Sequence, residues 1–508
     1  MMSRIGLWIV AIAASLGNWP ANGQVPDVPL AQKSWIETRT AHFNIYSCGQ
    51  PQEIYRLAAQ LEQFSDAYAL LAGAQALASP PIVVLAFPDQ QSMTPFLPLY
   101  HDRPASLAGF FKRGNDENLI VLALPGSESA FTGMEVILHE YAHLLFRHNS
   151  KLWPLWLNEG LAEIYSTFEA NGYTVRIAKP IVPYLRLLNR EPMLPLSKLF
   201  AVAPDSPQYN ERERQGIFYA ESWLLTHFLI SGGSAAYQSR FGEFTRLLRL
   251  GQLPEQAFTN ALRTSLGAVE AQLRRYLENG RFEPIQWSLS VNLSYQKAAD
   301  TRVLTPVETY YRLGDELMRI GRFEEAHGYF SQALQCAPAS PLGYQGLGLL
   351  AAEREQHSEA LRELNEALLR RSGSFLAHYV YAREKFRLTA DGKENYQTLP
   401  NNEAEPIRNE LLNSIALMPS FGPAHHLLGF LEMLQGRDLA LAKQHLEAAI
   451  QLEPENPAYL IALAQTQIRA GDPKGARRSL DPLFLPNADP KLRARAEELL
   501  RKIDQPRS

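Results

Sequence analysis

The chain has 508 residues, of which 46% are hydrophobic, 10% aromatic and 20% charged. This composition is typical of a packed globular protein and excludes a wholly disordered chain. The formal net charge of -4 gives no indication of nucleic-acid binding. Two cysteines exclude a disulfide framework and a four-cysteine zinc site. At roughly 150 residues per domain, the length predicts about three domains.

The N-terminus predicts a signal peptide over residues 1–23. Arg4 precedes a short apolar run over 5–16, and the small residues Ala21 and Gly23 suit cleavage after Gly23. An uncleaved membrane anchor is the alternative. The run of about 12 residues is, however, shorter than the roughly 20 that a spanning helix needs. We therefore expect a protein exported to the periplasm or the medium, with no stable membrane insertion.

Residues 24–285 predict a domain that mixes strands and helices. Hydrophobic periodicity indicates a helix over 51–71, and apolar runs predict buried strands over 82–87 and 118–124. From 129 to about 280 the pattern is mostly helical, apart from a hairpin-like turn at Asn171 and Gly172. Residues 286–306 lack this periodicity and predict a linker.

Beyond the predicted linker the sequence repeats with a period of 34 residues. About five units and a final capping helix occupy 307–503, with an insertion of about 13 residues in the third unit. A small residue recurs in each unit where two helices would cross closely, at Gly314, Gly348, Ala382, Gly429 and Ala464. The spacing resembles the tetratricopeptide repeat (TPR). This resemblance implies an all-α superhelix whose concave groove binds a protein partner.

The chemical motif of the first domain is His139-Glu140-Tyr141-Ala142-His143, inside a predicted helix. Two histidines four positions apart share one face of a helix, about 6 Å apart along its axis. Both imidazoles can then reach one metal ion. Glu140 lies about 100° around the helix, so it can point at a metal-bound water without being a ligand.

A third ligand is available on the next predicted helix. After Trp153-Pro154, the segment Trp156 to Glu163 contains Asn158-Glu159-Gly160, and Glu159 can face the two histidines. Two nitrogens and one carboxylate leave the fourth position of a zinc ion open, as in a catalytic site. Glu163 lies on the same helix face as Glu159 and is predicted to accept a hydrogen bond from a ligating histidine.

The combination of these motifs resembles the gluzincin metallopeptidases, to which thermolysin belongs. The resemblance implies a zincin-like α+β fold, Zn²⁺ held by His139, His143 and Glu159, and Glu140 as general base. It also implies an oxyanion-stabilising side chain opposite the metal, for which Tyr219 is the candidate. A core tyrosine is the alternative for Tyr219. No aminopeptidase-type Gly-Ala-Met-Glu-Asn segment is present, which favours an endopeptidase.

The sequence therefore predicts an exported zinc metallopeptidase whose substrate is a peptide or protein. Its TPR array would recruit that substrate or a partner protein. The alternative is a non-catalytic adaptor in which the repeats are the function and the zinc site is idle. A further alternative has the repeat array docking over the cleft and restricting access to it.

Overall fold

The structure is a computed structural model, and it describes most of the chain from residue 28 onward. The described residues are 28–72, 82–100, 103–105, 107, 109–114, 116–124, 132–150, 153–203, 206, 209, 212–232, 235–293, 300–389, 399–454, 456–484 and 489–504. The predicted signal peptide and most of the predicted insertion in the third repeat lie outside these residues. Among the helices described, none has both the length and the apolar character needed to span a membrane.

The N-terminal part contains eleven described strands and eleven described α-helices. Strands β1–β11 span Ile36–Arg39, Phe43–Ser47, Ile82–Phe87, Leu99–Tyr100, Arg103–Pro104, Gly109–Lys112, Asn118–Ala123, Glu169–Asn171, Thr174–Ile177, Ile285–Ser288 and Asp300–Val303. Helices α1–α11 span Val28–Ala31, Pro51–Ala72, Gln90–Met93, Thr132–Ser150, Leu155–Ser166, Val182–Leu188, Leu196–Phe200, Arg212–His227, Ala235–Arg249, Pro254–Leu262 and Leu266–Asn279. The predicted strands over 82–87 and 118–124 and the helix over 51–71 agree with β3, β7 and α2 to within one residue.

Six of these strands form one mixed sheet in the order β11-β1-β2-β3-β7-β6. The central strands β2, β3 and β7 are parallel, whereas β11, β1 and β6 run antiparallel to their neighbours. Every residue of β3 is buried, as expected for a parallel strand that is covered on both faces. Strand β6 forms one edge of this sheet.

The two faces of the sheet pack against different parts of the chain. On β3, Ile82, Val84 and Ala86 join a core that includes helices α2, α4 and α5. The alternate residues Val83, Leu85 and Phe87 join a second core that continues into the C-terminal helices. The period-2 alternation of a strand therefore places α4, which carries the histidines, and the first repeats on opposite sheet faces. The first repeats therefore pack on the sheet face opposite α4, unlike the alternative in which the repeat array docks over the cleft.

The stretch 286–306 was predicted to be a linker, but the structure places strands there. Strand β10 pairs with β9, and β11 pairs with β1 in the main sheet. The backbone N–H of Leu304 also donates to the carbonyl of Trp35 at 2.8 Å. Both strands have four residues; β10 alternates between partly buried and exposed residues, and three residues of β11 are exposed. They therefore lack the hydrophobic periodicity that marks a buried element, and the sequence pattern missed them.

The C-terminal part is a stack of helix pairs. Helices α12–α22 span Pro306–Arg319, Phe323–Cys336, Pro341–Glu353, His357–Leu369, Phe375–Arg387, Asn401–Leu417, Gly422–Gln435, Leu439–Leu452, Ala458–Arg469, Pro473–Leu480 and Pro490–Asp504. At Gly348 an added Cβ would lie 2.7 Å from Leu364 of the paired helix, and at Gly429 it would lie 2.7 Å from Leu446. The predicted close crossing within each repeat is confirmed at these positions.

Buried charges join the first repeat to the turn between β6 and β7. On α12, Arg319 donates to Asp315 at 2.9 Å and to Asp116 of the turn at 3.1 Å. Burial raises the pKa of Asp116, but the Arg319 guanidinium outweighs burial and holds that pKa below its usual value. Arg312 adds a second link, because it donates to Glu117 at 2.9 Å. These ion pairs tie the sheet to the repeats.

We expect Arg319→Met to lower the free energy of unfolding by about 3 kcal/mol, because it leaves buried carboxylates without their counter-charge. Urea denaturation followed by circular dichroism measures this loss. Arg246→Met is the matched control, since Arg246 pairs with Glu243 on the exposed surface at 2.7 Å. Equal denaturation midpoints for the two variants would contradict a stabilising role for Arg319.

Candidate metal centre

Helices α4 and α5 bring three of the predicted side chains into a triangle. The Nε2 atoms of His139 and His143 lie 3.1 Å apart. The Oε2 atom of Glu159 lies 3.3 Å from each of them. His139 and Glu159 are both only 3% exposed, so the triangle lies in the protein interior. The structure thus brings together the three residues that the sequence predicted as metal ligands.

Hydrogen bonds on the far side of each imidazole determine which ring nitrogen carries a proton. The Nδ1 atom of His139 lies 3.4 Å from Oε1 of Glu163, and Nδ1 of His143 lies 3.3 Å from Oδ1 of Asn158. Both partners are acceptors, so both Nδ1 atoms are protonated in the neutral rings. The two Nε2 lone pairs then point toward each other and toward Glu159, as in metal-binding histidines.

These residues fit a zinc ion on two counts. Zinc ligands at 2.0–2.1 Å in tetrahedral geometry lie about 3.3 Å from each other, which is close to the three sides of the triangle. Glu159 Oε2 is buried and has no hydrogen-bond partner among the described residues. A buried carboxylate oxygen without a partner is costly, and a cation shared with the two histidines satisfies it.

The electrostatics of the triangle favour positive charge. Burial lowers the pKa of His139, but Glu163 and Glu159 outweigh burial and raise that pKa well above 6.5. Burial raises the pKa of Glu159, but the two histidines outweigh burial and hold it well below 4.5. The carboxylate of Glu159 is therefore ionised, and the centre attracts a cation.

Glu140 follows His139 on α4 and is 8% exposed. Burial raises its pKa, while the neighbouring His139 and His143 oppose that increase. Glu140 is therefore a buried carboxyl group beside the two histidines, with a pKa above its ordinary value.

Tyr219 lies on α8 close to the centre. Its ring centroid is 6.3 Å from that of His139, and its ring stacks on Tyr209 at 6.0 Å. Burial, the charge of Glu159 and contact with Tyr209 raise the pKa of Tyr219 well above 10. Tyr219 is therefore a neutral hydrogen-bond donor, as an oxyanion-stabilising side chain must be.

Three polar side chains without an assigned role in the sequence form hydrogen bonds to His143, Glu159 and Glu163. Asn158 accepts from His143, Tyr209 donates to Oε1 of Glu159 at 3.2 Å, and Tyr184 donates to Oε1 of Glu163 at 2.7 Å. Asn158 directly precedes Glu159, so its place in the motif could have identified it. The two tyrosines have no fixed spacing to the motif, and only the tertiary fold brings them to it.

Gly160 lies directly against the neighbouring helix α8. An added Cβ would lie 2.1 Å from Oγ1 of Thr226 and 2.4 Å from the carbonyl oxygen of Ser222. The absence of a side chain at Gly160 therefore lets α8 pack directly on α5. This contact positions Tyr219 beside the three predicted metal ligands.

A second group of potential ligands, His42, Glu62 and Asp66, is also close together. Here the carboxylate of Glu62 is already used, because it accepts from the backbone N–H of His42 at 2.8 Å and lies 2.7 Å from its Nδ1. The arrangement is explained as an internal ion pair between α2 and the start of β2.

Comparisons with known proteins identify the C-terminal part. Models of the tetratricopeptide repeat match residues 307–340 and 433–503. Together with the helix pairs and their glycine crossings, these matches show that the C-terminal part is a TPR superhelix. TPR repeats form protein–protein interaction scaffolds. The comparisons give no support for a metallopeptidase domain, and no curated protein matches the chain.

Several solved TPR structures resemble the repeat region. YrrB, described as a TPR protein with an unusual peptide-binding site, is 17% identical; the match covers 37% of this chain and 91% of that chain, with a TM-score of 0.31. A thermophilic TPR protein of Thermus thermophilus is 22% identical; the match covers 38% of this chain and 99% of that chain, with a TM-score of 0.28. MamA from Desulfovibrio magneticus is 20% identical; the match covers 39% of this chain and 97% of that chain, with a TM-score of 0.29.

Helix α8 also carries a buried acid, Glu221, which is 0% exposed. Its Oε2 accepts from the backbone N–H of Leu194 at 2.8 Å, while Oε1 has no partner among the described residues. Burial raises the pKa of Glu221 from its ordinary value of 4.5 to about 8. The folded state therefore holds this proton more tightly than the unfolded state does.

We expect Glu221→Gln to stabilise the protein at pH 8.5 and to have little effect at pH 4. The contribution of protonated Glu221 to the stability of the wild type is lost as the pH rises from about 4.5 to about 8, because the carboxyl ionises freely only in the unfolded state in that range. Melting temperatures measured across this range test the expectation. Glu255→Gln on the exposed surface is the control, and a Glu221→Gln effect that does not vary with pH would contradict the raised pKa.

Proposed function

We propose that the chain combines a protein-binding TPR array with a zinc-dependent peptidase centre. The TPR half has the support of the family matches. The peptidase half is carried by a single observation, the buried triangle of His139, His143 and Glu159 beside Glu140. The substrate in this proposal is a peptide or protein, and the TPR groove binds that substrate or a partner protein. Export after removal of residues 1–23 is part of the proposal.

In this proposal His139, His143 and Glu159 hold the zinc ion through Nε2, Nε2 and Oε2. When bound, zinc lowers the pKa of a water molecule toward 7 and polarises the scissile carbonyl. The carboxylate of Glu140 accepts the proton of the attacking water and delivers it to the leaving amine. The hydroxyl of Tyr219 donates to the oxyanion that develops on the carbonyl oxygen.

The surrounding side chains position these groups. Glu163 fixes the tautomer of His139, and Tyr184 fixes the carboxylate of Glu163 in turn. The Tyr209 hydroxyl donates a hydrogen bond to Oε1 of Glu159, and Oε2 of that carboxylate faces the two histidines. A preorganised set of donors and acceptors of this kind costs little reorganisation during a reaction.

A TPR scaffold with an idle zinc site is the second candidate function. The comparisons fit this alternative better than they fit the peptidase, because they support the repeats alone. The presence of Glu140 supports the peptidase, since a purely structural zinc site needs no general base beside its ligands.

We expect the full chain to bind zinc, and Glu140→Gln to keep the metal while losing at least about a hundredfold in peptide cleavage. Metal content by mass spectrometry and digestion of a diverse peptide library by the same samples measure the two properties. His143→Ala should lose both zinc and cleavage, because it removes a ligand.

Glu135→Gln is the matched control for Glu140→Gln, since it makes the same substitution on the same helix α4. Wild-type protein that holds zinc but cleaves no member of the library would contradict the peptidase and favour the scaffold. If the protein binds no zinc at the triangle, both the zinc peptidase and the scaffold with an idle zinc site are contradicted.

A further inference from the structure

Strand β6 is the edge of the main sheet that lies next to the metal centre. It pairs with β7 on one side, and the other edge has no strand partner among the described residues. Helix α4, which carries His139, Glu140 and His143, contacts this strand. The residues that follow β6 therefore lie near the helix that carries the two histidines.

Arg113 is the first residue after β6, and its side chain is exposed. Among the described residues, no carboxylate lies within ion-pair distance of its guanidinium. The negative charge of Glu140 raises the pKa of Arg113, and it acts from beyond ion-pair distance. Arg113 thus differs from the arginines of the TPR junction, Arg312 and Arg319, whose charges are matched by direct carboxylate partners.

The Arg113 side chain is exposed, but neighbouring protein atoms cover part of it and lower its pKa. A partly desolvated cation without a counter-ion is unfavourable in the free protein. Binding an anion at this position recovers that cost.

The neighbouring residue connects this position to the repeats. Lys112, the last residue of β6, donates through Nζ to the backbone carbonyl of Arg319 on α12. Together with Asp116, Met318 and Val380 it lines a groove of about 210 Å³. Lys112 therefore contacts the first repeat, while the next residue, Arg113, lies within electrostatic range of Glu140.

We propose that Arg113 is a specificity-determining residue that binds a carboxylate of the peptide substrate, either an acidic side chain or the C-terminus. The proposal rests on the proposed peptidase function. A guanidinium binds a carboxylate through two parallel N–H···O bonds, and this geometry sets the position of the anion as well as its affinity. Arg113 thereby selects substrates that carry a negative charge beside the scissile bond.

The test uses the zinc-loaded, full-length Glu140→Gln protein, which binds peptides without turning them over. The ligands are two sets of fluorescent octapeptides that carry either Glu or Gln at each position in turn, with free or amidated C-termini. Fluorescence anisotropy gives the dissociation constants. We expect at least one Glu position, or the free C-terminus, to bind about tenfold tighter than its neutral counterpart.

Arg113→Ala in the same background should remove this preference, and Arg113→Lys should restore part of it. Arg249→Ala controls for the change in net charge and should keep the preference. Arg249 is an exposed residue at the end of α9. The preference for free C-terminus over Glu, or the reverse, identifies which carboxylate Arg113 binds.

Binding without any preference for carboxylates overturns the role of Arg113, as does a preference that survives in Arg113→Ala. Either result leaves the peptidase proposal intact, because peptides still bind the zinc-loaded protein. If no peptide binds and the wild type cleaves none, the proposed function and the role of Arg113 fail together.

Discussion

The constraint on which the structure depends is that both faces of one six-stranded sheet are buried. Strand β3 shows this most simply, because its alternate residues join two different cores and all six are buried. One core holds α4 and α5 with the predicted metal ligands, and the other holds the first repeats. The candidate metal centre and the TPR superhelix are thus attached to opposite faces of a single sheet. Burial of apolar surface on both faces drives this assembly.

The sheet also explains how the repeats relate to the metal centre. The TPR superhelix begins on the sheet face opposite α4, so the first repeats leave the side of the histidines uncovered. The route between the two regions runs around the edge strand β6. At its end, Lys112 contacts α12 and Arg113 lies within electrostatic range of Glu140. A peptide substrate that contacts both regions would therefore pass this edge.

The sequence predicted those parts of the molecule whose signals are local. The all-apolar run of β3, the helical period of α2 and the 34-residue repeat each specify their element through neighbouring residues. The same holds for His139, His143 and Glu159, since spacing within a helix and a short connection bring them together. In contrast, β10 and β11 depend on partners far along the chain and carry no strong pattern. Tyr184 and Tyr209 likewise reach the centre through tertiary contacts, which no local spacing encodes.

The proposed function requires that the triangle of His139, His143 and Glu159 binds zinc. X-ray absorption spectroscopy of the zinc-loaded full-length protein measures the ligands of the bound ion. We expect a four-coordinate zinc with two imidazole nitrogens and oxygen ligands, all at about 2.0–2.2 Å. Loss of both nitrogen ligands is expected in a His139→Ala, His143→Ala protein. A zinc spectrum with oxygen ligands alone, or one unchanged by removal of the two histidines, would show that the triangle is not the zinc site.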